Sequence, residues 1–462
     1  MKLINIARMG VAVIAVAMLG SCGIYKKYET PTSTALTKAY AEARSQEVDS
    51  AAFGNLLWED VFTDPKLAAL IQNALENNTN LQNAQLNVEI AQANLKGARL
   101  AYLPSLALAP NAGGASFAGS DLSKTYQIPA QLSWEIDIFG KLLNSKRGAK
   151  AAVLQSEAYA QAVRSQIISG VANTYYAIAA VRNQLNLSRS TAALWKETVQ
   201  TMKDLKEGGR GVTEAAVVQS AANYYSILAS ITDLEMSLDQ LNNTMSLLQN
   251  TQPREWDVTD VVDIQVPEIL RAGVPMSELA ARPDVQAAEQ SLAAAYYSTA
   301  SARAAFYPGL SISVAGGFTN NFGSFSQNPG DWFYQLGASL VAPIFSRGQN
   351  ITRLKAAKKQ QEQALNNFEY ALLTAAAEVQ DAITVYEKST EKSALLVDQV
   401  ANLEKSVEYT QDLMFYSTGS TSYLEVLTAQ QGLLSAQINQ INTKLATARS
   451  IINLYQALGG GR

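Results

Sequence analysis

The chain has 462 residues, 16% charged and 48% hydrophobic, with a net charge of −4, one cysteine and no histidine. Soluble domains usually carry about 25% charged residues, so a chain in which Gln, Asn, Ser and Thr fill the difference has an unusual balance. The lone cysteine excludes an intrachain disulfide framework, and no basic run forms a nucleic-acid footprint, so no nucleic-acid partner is expected.

Lys2 and Arg8 precede an apolar run from Met9 to Leu19, the n- and h-regions of a signal peptide. The run falls short of the about 20 apolar residues that a spanning helix needs. It ends in Leu19-Gly20-Ser21-Cys22, which is similar to a bacterial lipoprotein signal, so residues 1–21 are expected to be cut away and Cys22 lipidated. An ordinary cleavage site beside a chance cysteine is the alternative. Cleavage removes Lys2 and Arg8, leaving 34 basic against 40 acidic residues, a net charge of −6.

Residues 22–57, with Thr30-Pro31-Thr32-Ser33-Thr34, read as an extended spacer. Asp64 and Pro65 then supply an N-cap and a first helical residue for a helix running to about Tyr102. It ends in Ala98-Arg99-Leu100-Ala101-Tyr102-Leu103-Pro104, where proline turns helix into strand. A first strand is expected over 104–119. After the turn Gly119-Ser120-Asp121, Tyr126, Ile128, Ala130, Leu132, Trp134, Ile136 and Ile138 share one face, while Gln127, Gln131, Ser133, Glu135 and Asp137 share the other. Such alternation marks a transmembrane β-barrel strand, although a half-buried soluble hairpin produces the same pattern. Two helices, Lys141–Glu207 and Val212–Gln252, meet at the Gly-rich turn Gly208–Thr213. A loop follows to Pro275, with room for one short strand or helix.

The plan then repeats. A helix over Asp284–Tyr307 ends in Ala302-Arg303-Ala304-Ala305-Phe306-Tyr307-Pro308, roughly 200 residues after the first copy of that motif. Leu310, Ile312 and Val314 alternate with Ser311, Ser313 and Ala315. Trp332, Tyr334, Leu336, Ala338, Leu340, Ala342 and Ile344 form the returning apolar face, with aromatics at the turn end as an interfacial girdle requires. Gln349–Thr418 contains neither Gly nor Pro, enough for about 105 Å of helix. Phe368, Leu372, Ala375, Val379, Ala382 and Tyr386, continued by Leu396, Val400, Leu403 and Val407, recur at four-three spacing, a coiled-coil stripe. Gly419 breaks the helix, and Ser420–Leu458 returns antiparallel.

The expected domains are therefore a spacer (22–57), a first repeat (58–265, hairpin 104–139, helical hairpin 141–252), a second repeat (266–458, hairpin 308–345, helical hairpin 349–458) and a tail (459–462). One chain supplies four membrane-length strands, which cannot close a barrel, and open edges are not tolerated in lipid. A homo-oligomer follows if the strands cross a membrane. Eight strands from two chains leave a bore filled by side chains, whereas twelve from three leave a channel.

These features resemble the outer-membrane efflux protein (TolC-like) family, in its lipoprotein branch serving resistance-nodulation-division pumps. The carriers are the paired Ala-Arg-x-Ala-aromatic-x-Pro elements, Trp134-Glu135-Ile136-Asp137-Ile138-Phe139-Gly140, Arg282-Pro283-Asp284-Val285, and Tyr416-x-x-Gly419 before Tyr423-Leu424-Glu425-Val426-Leu427. The resemblance implies an α+β membrane protein: a homotrimeric, twelve-stranded barrel in the outer membrane, continued by an α-helical coiled-coil barrel through the periplasm. Its mouth docks with a periplasmic adaptor (membrane fusion) protein and an inner-membrane transporter. The implied function is passive export of small molecules such as drugs, gated at the periplasmic tip.

The resemblance also implies that helices beside the turns at Gly208–Thr213 and Thr418–Ser422 open like an iris. Glu425 matches an acidic gate position, whose ring would favour cations; a helix-start Glu favoured by the macrodipole is the plainer reading. Tyr416, Gly419 and Gly211 keep the tip pattern, but Thr421 stands at an Arg position, Thr428 at a second acidic position and Val217 where the first half matches Glu425. The closing links must therefore differ, through hydroxyls or an apolar ring. Arg99 and Arg303, with Pro104 and Pro308, mark the helix–strand joints, where the arginines either snorkel at the membrane face or cap helix carbonyls; a structural role is expected.

No histidine, no thiol free of lipid and no phosphate-binding loop point to an enzyme, and neither cofactor nor metal is expected. A protein-secretion duct and a non-channel tethering lipoprotein are the alternative functions. Cys22 and Arg282-Pro283-Asp284 favour small-molecule efflux over secretion, and the alternating strands count against the tether.

Overall fold

The computed structural model describes residues 25–44, 56–116, 121–209, 212–259, 276–320, 330–416 and 423–461. The spacer is not wholly extended, because Ala35–Arg44 forms helix α1. Thr34 starts it, its Oγ1 accepting from the Thr37 N–H at 3.3 Å. Thr37, Tyr40 and Ala43, all on one helical face, are buried.

After the single turn α2 (Trp58–Val61), Asp64 caps α3 (Pro65–Asn77) as expected, Oδ1 accepting from the Lys66 N–H at 2.9 Å. The helix does not run unbroken to Tyr102. Asn78 is extended and separates α3 from α4 (Thr79–Leu100). Its Oδ1 caps the new helix through the Asn80 N–H at 2.9 Å, and its Nδ2 donates to the Leu248 carbonyl, also at 2.9 Å. That partner lies 170 residues away in sequence, so local pattern could not show the break.

Strands β1 (Ser105–Leu108) and β2 (Asn111–Ala115) keep one continuous register against β3 (Ser123–Ile136). The gap between them falls where Pro110 and Pro129 each lack an N–H, and only the Ala109 N–H spans it, donating to the Pro129 carbonyl at 3.0 Å. β4 (Gly309–Thr319) and β5 (Asp331–Val341) form the second hairpin. The order β1/β2–β3–β4–β5 is antiparallel throughout, giving four strand lines.

Helix α5 (Lys141–Glu207) runs 67 residues through Gly148 and Gly170 without a break. α6 spans Glu214–Leu248, ending earlier than expected because Asn250 adopts φ 51° ahead of Pro253. α7 (Met276–Ala281) and α8 (Pro283–Ala304) precede the second hairpin; α9 (Gln349–Tyr416) and α10 (Tyr423–Ala457) follow it. Along α9, Phe368, Leu372, Ala375, Val379, Ala382, Leu396 and Val400 are buried at the expected spacing. Ser389 sits within that stripe, its Oγ accepting from Thr447 Oγ1 at 2.8 Å.

The chain forms two compact units. One comprises the chain through Lys38, Gln85–Ala158 and Gln286–Ala371, and carries the sheet. The other comprises Ala39–Ala84, Tyr159–Val285 and Leu372–Arg462, and its described elements are helical. Among the described residues no helix is long and apolar enough to cross a membrane.

Candidate functional site: a two-faced sheet and a helical tip

Register puts residues of like polarity opposite each other across all strands. Leu106 faces Leu132, Leu132 faces Val314 and Val314 faces Leu336; one residue along, Ser133 faces Ser105 and Ser313, and Glu135 faces Ser311. The result is one apolar face and one polar face. Both are open to solvent in the protomer: Leu106, Trp332 and Leu336 are each about 70% exposed, and Ser133, Glu135 and Ser339 are exposed opposite them. A half-buried soluble hairpin would hide its apolar face, so this pattern fits a sheet whose apolar side meets something outside the protomer. β1/β2 and β5 are the edges, and neither pairs with another strand among the described residues. At the turn end Trp332 and Tyr334 lie 5.7 Å apart by ring centroid, placing aromatics where the alternation predicts a girdle. Gly317, opposite Pro129, is required by close approach: a Cβ there would lie 2.1 Å from the Ile128 carbonyl oxygen.

Arg99 and Arg303 occupy the last turns of α4 and α8, and Pro104 and Pro308 stand immediately before β1 and β4. Neither arginine hydrogen-bonds a helix carbonyl among the described residues, so no capping accompanies their placement. The joint is held instead by Trp134, whose Nε1–H donates to the Tyr102 carbonyl at 2.9 Å, and by Phe139 stacked on Tyr307 at 4.9 Å. The N-terminal strap crosses here. Tyr25 donates to the Ile138 carbonyl, Arg147 to the Tyr25 carbonyl at 3.0 Å and Thr30 to Glu289 at 2.7 Å. Cys22 lies outside the described residues.

At the first tip turn, Gly209 takes φ 69°, Lys206 pairs with Glu214, and Thr213 caps α6 through the Ala216 N–H at 3.3 Å. Val217 is buried, and one turn on the hydroxyls of Ser220 and Tyr423 lie 2.8 Å apart, tying α6 to α10. Burial raises the Tyr423 pKa. Glu425 is exposed in the first turn of α10. Thr428 is exposed as well, but its Oγ1 is committed to the Leu424 carbonyl at 2.7 Å. Tyr416 ends α9; its side chain, Gly419, Thr421 and Gly211 lie outside the described residues. Glu404, Glu408 and Asp412 are also exposed at spacing four along α9, a single acidic stripe toward the tip that lies outside the sequence motifs. Their spacing was the available signal.

Arg282 carries more than the motif suggested. It is 4% exposed. Its guanidinium donates to both oxygens of Asp284 at 3.0 and 2.7 Å, to Glu378 at 2.6 Å and to the Ala457 carbonyl at 2.6 Å. Burial opposes its charge, but the two carboxylates outweigh it and push its pKa up. A second lock joins Asp64 to Tyr175, whose hydroxyl donates to it at 2.6 Å and accepts from the Thr259 N–H at 2.8 Å. Burial, then the bond to Asp64, pushes the Tyr175 hydroxyl up to about 12. Burial also works against Asp64, yet bonds from Tyr175, Thr259 and two backbone N–H groups hold its carboxyl below the usual range. Both groups are fully committed, which suits a scaffold more than a reacting centre.

The family model described as outer membrane efflux protein matches residues 70–251 and 274–460. The chain is 29% identical to the toluene efflux pump outer membrane protein TtgC of Pseudomonas putida, over 96% of this chain and 93% of that one. It is 28% identical to SilC of Salmonella typhimurium, named a probable outer membrane lipoprotein, over 87% and 88% of the two chains. Among solved structures, the open-state outer membrane channel MtrE of Neisseria gonorrhoeae superposes with a TM-score of 0.77 at 27% identity, covering 95% of this chain and 97% of that one.

Proposed function

We propose that this chain, which belongs to the outer membrane efflux protein family, is the outer-membrane exit duct of a tripartite efflux pump. The observation that carries the reading is the open sheet, apolar on one side, polar on the other and unpaired at both edges among the described residues. Lipid tolerates no unpaired edge, so further copies complete the wall. Three copies bring twelve strands, enough for a water-filled bore lined by the polar face. An exposed stripe on α6, through Val218, Tyr225 and Met236, offers the neighbouring copy a second seam beside the one already buried. The trimer thus continues as a helical barrel.

Cys22 carries the lipid. Only Gly23 and Ile24 separate it from Tyr25, a reach of about 11 Å, and Tyr25 is held at the end of β3. The segment leading to the anchor therefore starts, at Tyr25, from the sheet's helical end. At the helical tip, Glu425 lines the gate with the acidic stripe of α9, while Val217 and the Ser220–Tyr423 contact hold the hairpins together. An adaptor protein and a resistance-nodulation-division transporter dock on this tip, and small molecules leave passively. The test is conductance: purified protein in planar bilayers opens discrete, ohmic pores under this reading, and none if the sheet serves some other purpose.

A further inference from the structure

The helices enter and leave the sheet at one end, and there basic residues far outnumber the acidic Glu135 and Asp137 at the end of β3. No acidic residue occurs within 90–120, 138–156, 290–330 or 332–361, the four stretches that pass through the joint, although the chain holds 40 acidic residues. These stretches instead carry Lys96 and Arg99 entering β1, Lys141, Lys146, Arg147 and Lys150 leaving β3, and Arg303 entering β4. Beyond β5 follow Arg347, Arg353, Lys355, Lys358 and Lys359. Because the basic residues are scattered over four segments, the sequence shows no basic run; the fold gathers them into a collar.

The helix macrodipole does not account for the collar. Cations are favoured at helix C-termini, where Arg99 and Arg303 lie, and disfavoured at N-termini. Yet the larger groups occupy the opening turns of α5 and α9. Internal pairing covers few of them: Lys141 meets Glu135 at 2.8 Å and Lys359 meets Glu362 at 2.6 Å. Arg347, Arg353, Lys355 and Lys358 are exposed and make no ion pair among the described residues. Ile344 and Phe345, 98% and 85% exposed, stand immediately before them.

We infer that the collar binds anionic phospholipid headgroups of the leaflet at the helical end of the sheet, with Ile344 and Phe345 entering the acyl boundary. Exposed apolar residues followed by unpaired cations are the pattern of an interfacial contact, and anionic lipid attracts each juxtamembrane Lys or Arg. This inference rests on the proposed reading of the sheet as membrane-spanning.

The test reconstitutes the full chain into mixed vesicles of phosphatidylcholine and phosphatidylglycerol, with one or the other brominated, and reads quenching of tryptophan fluorescence. Trp134, bonded at the joint, is the nearest reporter. The wild-type protein should favour brominated phosphatidylglycerol by roughly tenfold in relative binding, less at high salt. The variant Arg347→Gln, Arg353→Gln, Lys355→Gln, Lys358→Gln, altered only at exposed positions, should bring the ratio close to one. Equal quenching by both lipids in the wild type, or a preference that survives in the variant, would overturn the inference. So would a preference abolished by inorganic phosphate but not by sodium chloride of equal ionic strength, which would assign the collar to soluble phosphate. Quenching by neither lipid would instead remove the sheet from the membrane, overturning the reading beneath it.

Discussion

Replacing Arg282 by alanine removes a buried side chain that joins the start of α8 to α9 and to the last turn of α10. Breaking a buried ion pair by deleting one partner costs about 3–5 kcal/mol, chiefly through the charge left behind. Here the carboxylates left behind are half exposed, 48% for Asp284 and 51% for Glu378, and water can reach both. The buried Ala457 carbonyl is less well served. The low end applies, about 3 kcal/mol, or a melting point lower by about 6 °C for a unit of this size. Arg282→Lys keeps the charge but cannot serve two carboxylates and a carbonyl from one planar fork, so it should lose about half as much. Thermal melts followed by helical circular dichroism on detergent-extracted protein make the measurement. An unchanged melting point for Arg282→Ala would refute the claim that this guanidinium clamps the helices. A lysine variant equal to wild type would show that charge, not fork geometry, is what matters.

Gly317→Ala places a methyl group against the Ile128 carbonyl and the Pro129 backbone; the expected outcome is loss of assembled, heat-modifiable oligomer on gels, with helical content retained. The Tyr175 hydroxyl, raised to about 12, stabilises the fold fully below the ordinary tyrosine value near 10 and loses that contribution as pH climbs through about 12. Tyr175→Phe should flatten the alkaline limb of a stability–pH curve, and an identical limb would count against the lock. Asp64 works in the opposite sense: its depressed pKa gives stability above the ordinary aspartate range that fades as acid titrates the folded carboxyl. Asp64→Asn should therefore weaken the protein at neutral pH and remove part of its acid sensitivity. Glu425→Ala should lower cation selectivity and raise resting conductance in planar bilayers; unchanged values would remove Glu425 from the gate.

Much of this architecture was legible because it depends on short-range periodicity. The strand faces around Trp134, the Asp64 cap and the stripe from Phe368 to Val400 are local patterns, and the structure reproduces them. The departures have partners far away in sequence. The helix breaks at Asn78 because Leu248 offers a carbonyl to its side chain. Arg282 reads as one letter of a motif until Glu378 and Ala457 meet it. Helix α1 hid in a polar segment because its buried face needs only Thr37, Tyr40 and Ala43. At the tip, the sequence singled out Glu425 but not the acidic stripe of α9, whose spacing of four is plain only once the helix face is considered.

The central claim is that an open sheet of four strand lines is completed by two further copies. The detergent-corrected mass of the extracted mature protein tests it most directly. Three copies per particle is the result expected, closing twelve strands around a bore. A stable, folded monomer would leave both sheet edges bare, contradicting the claim and with it the duct.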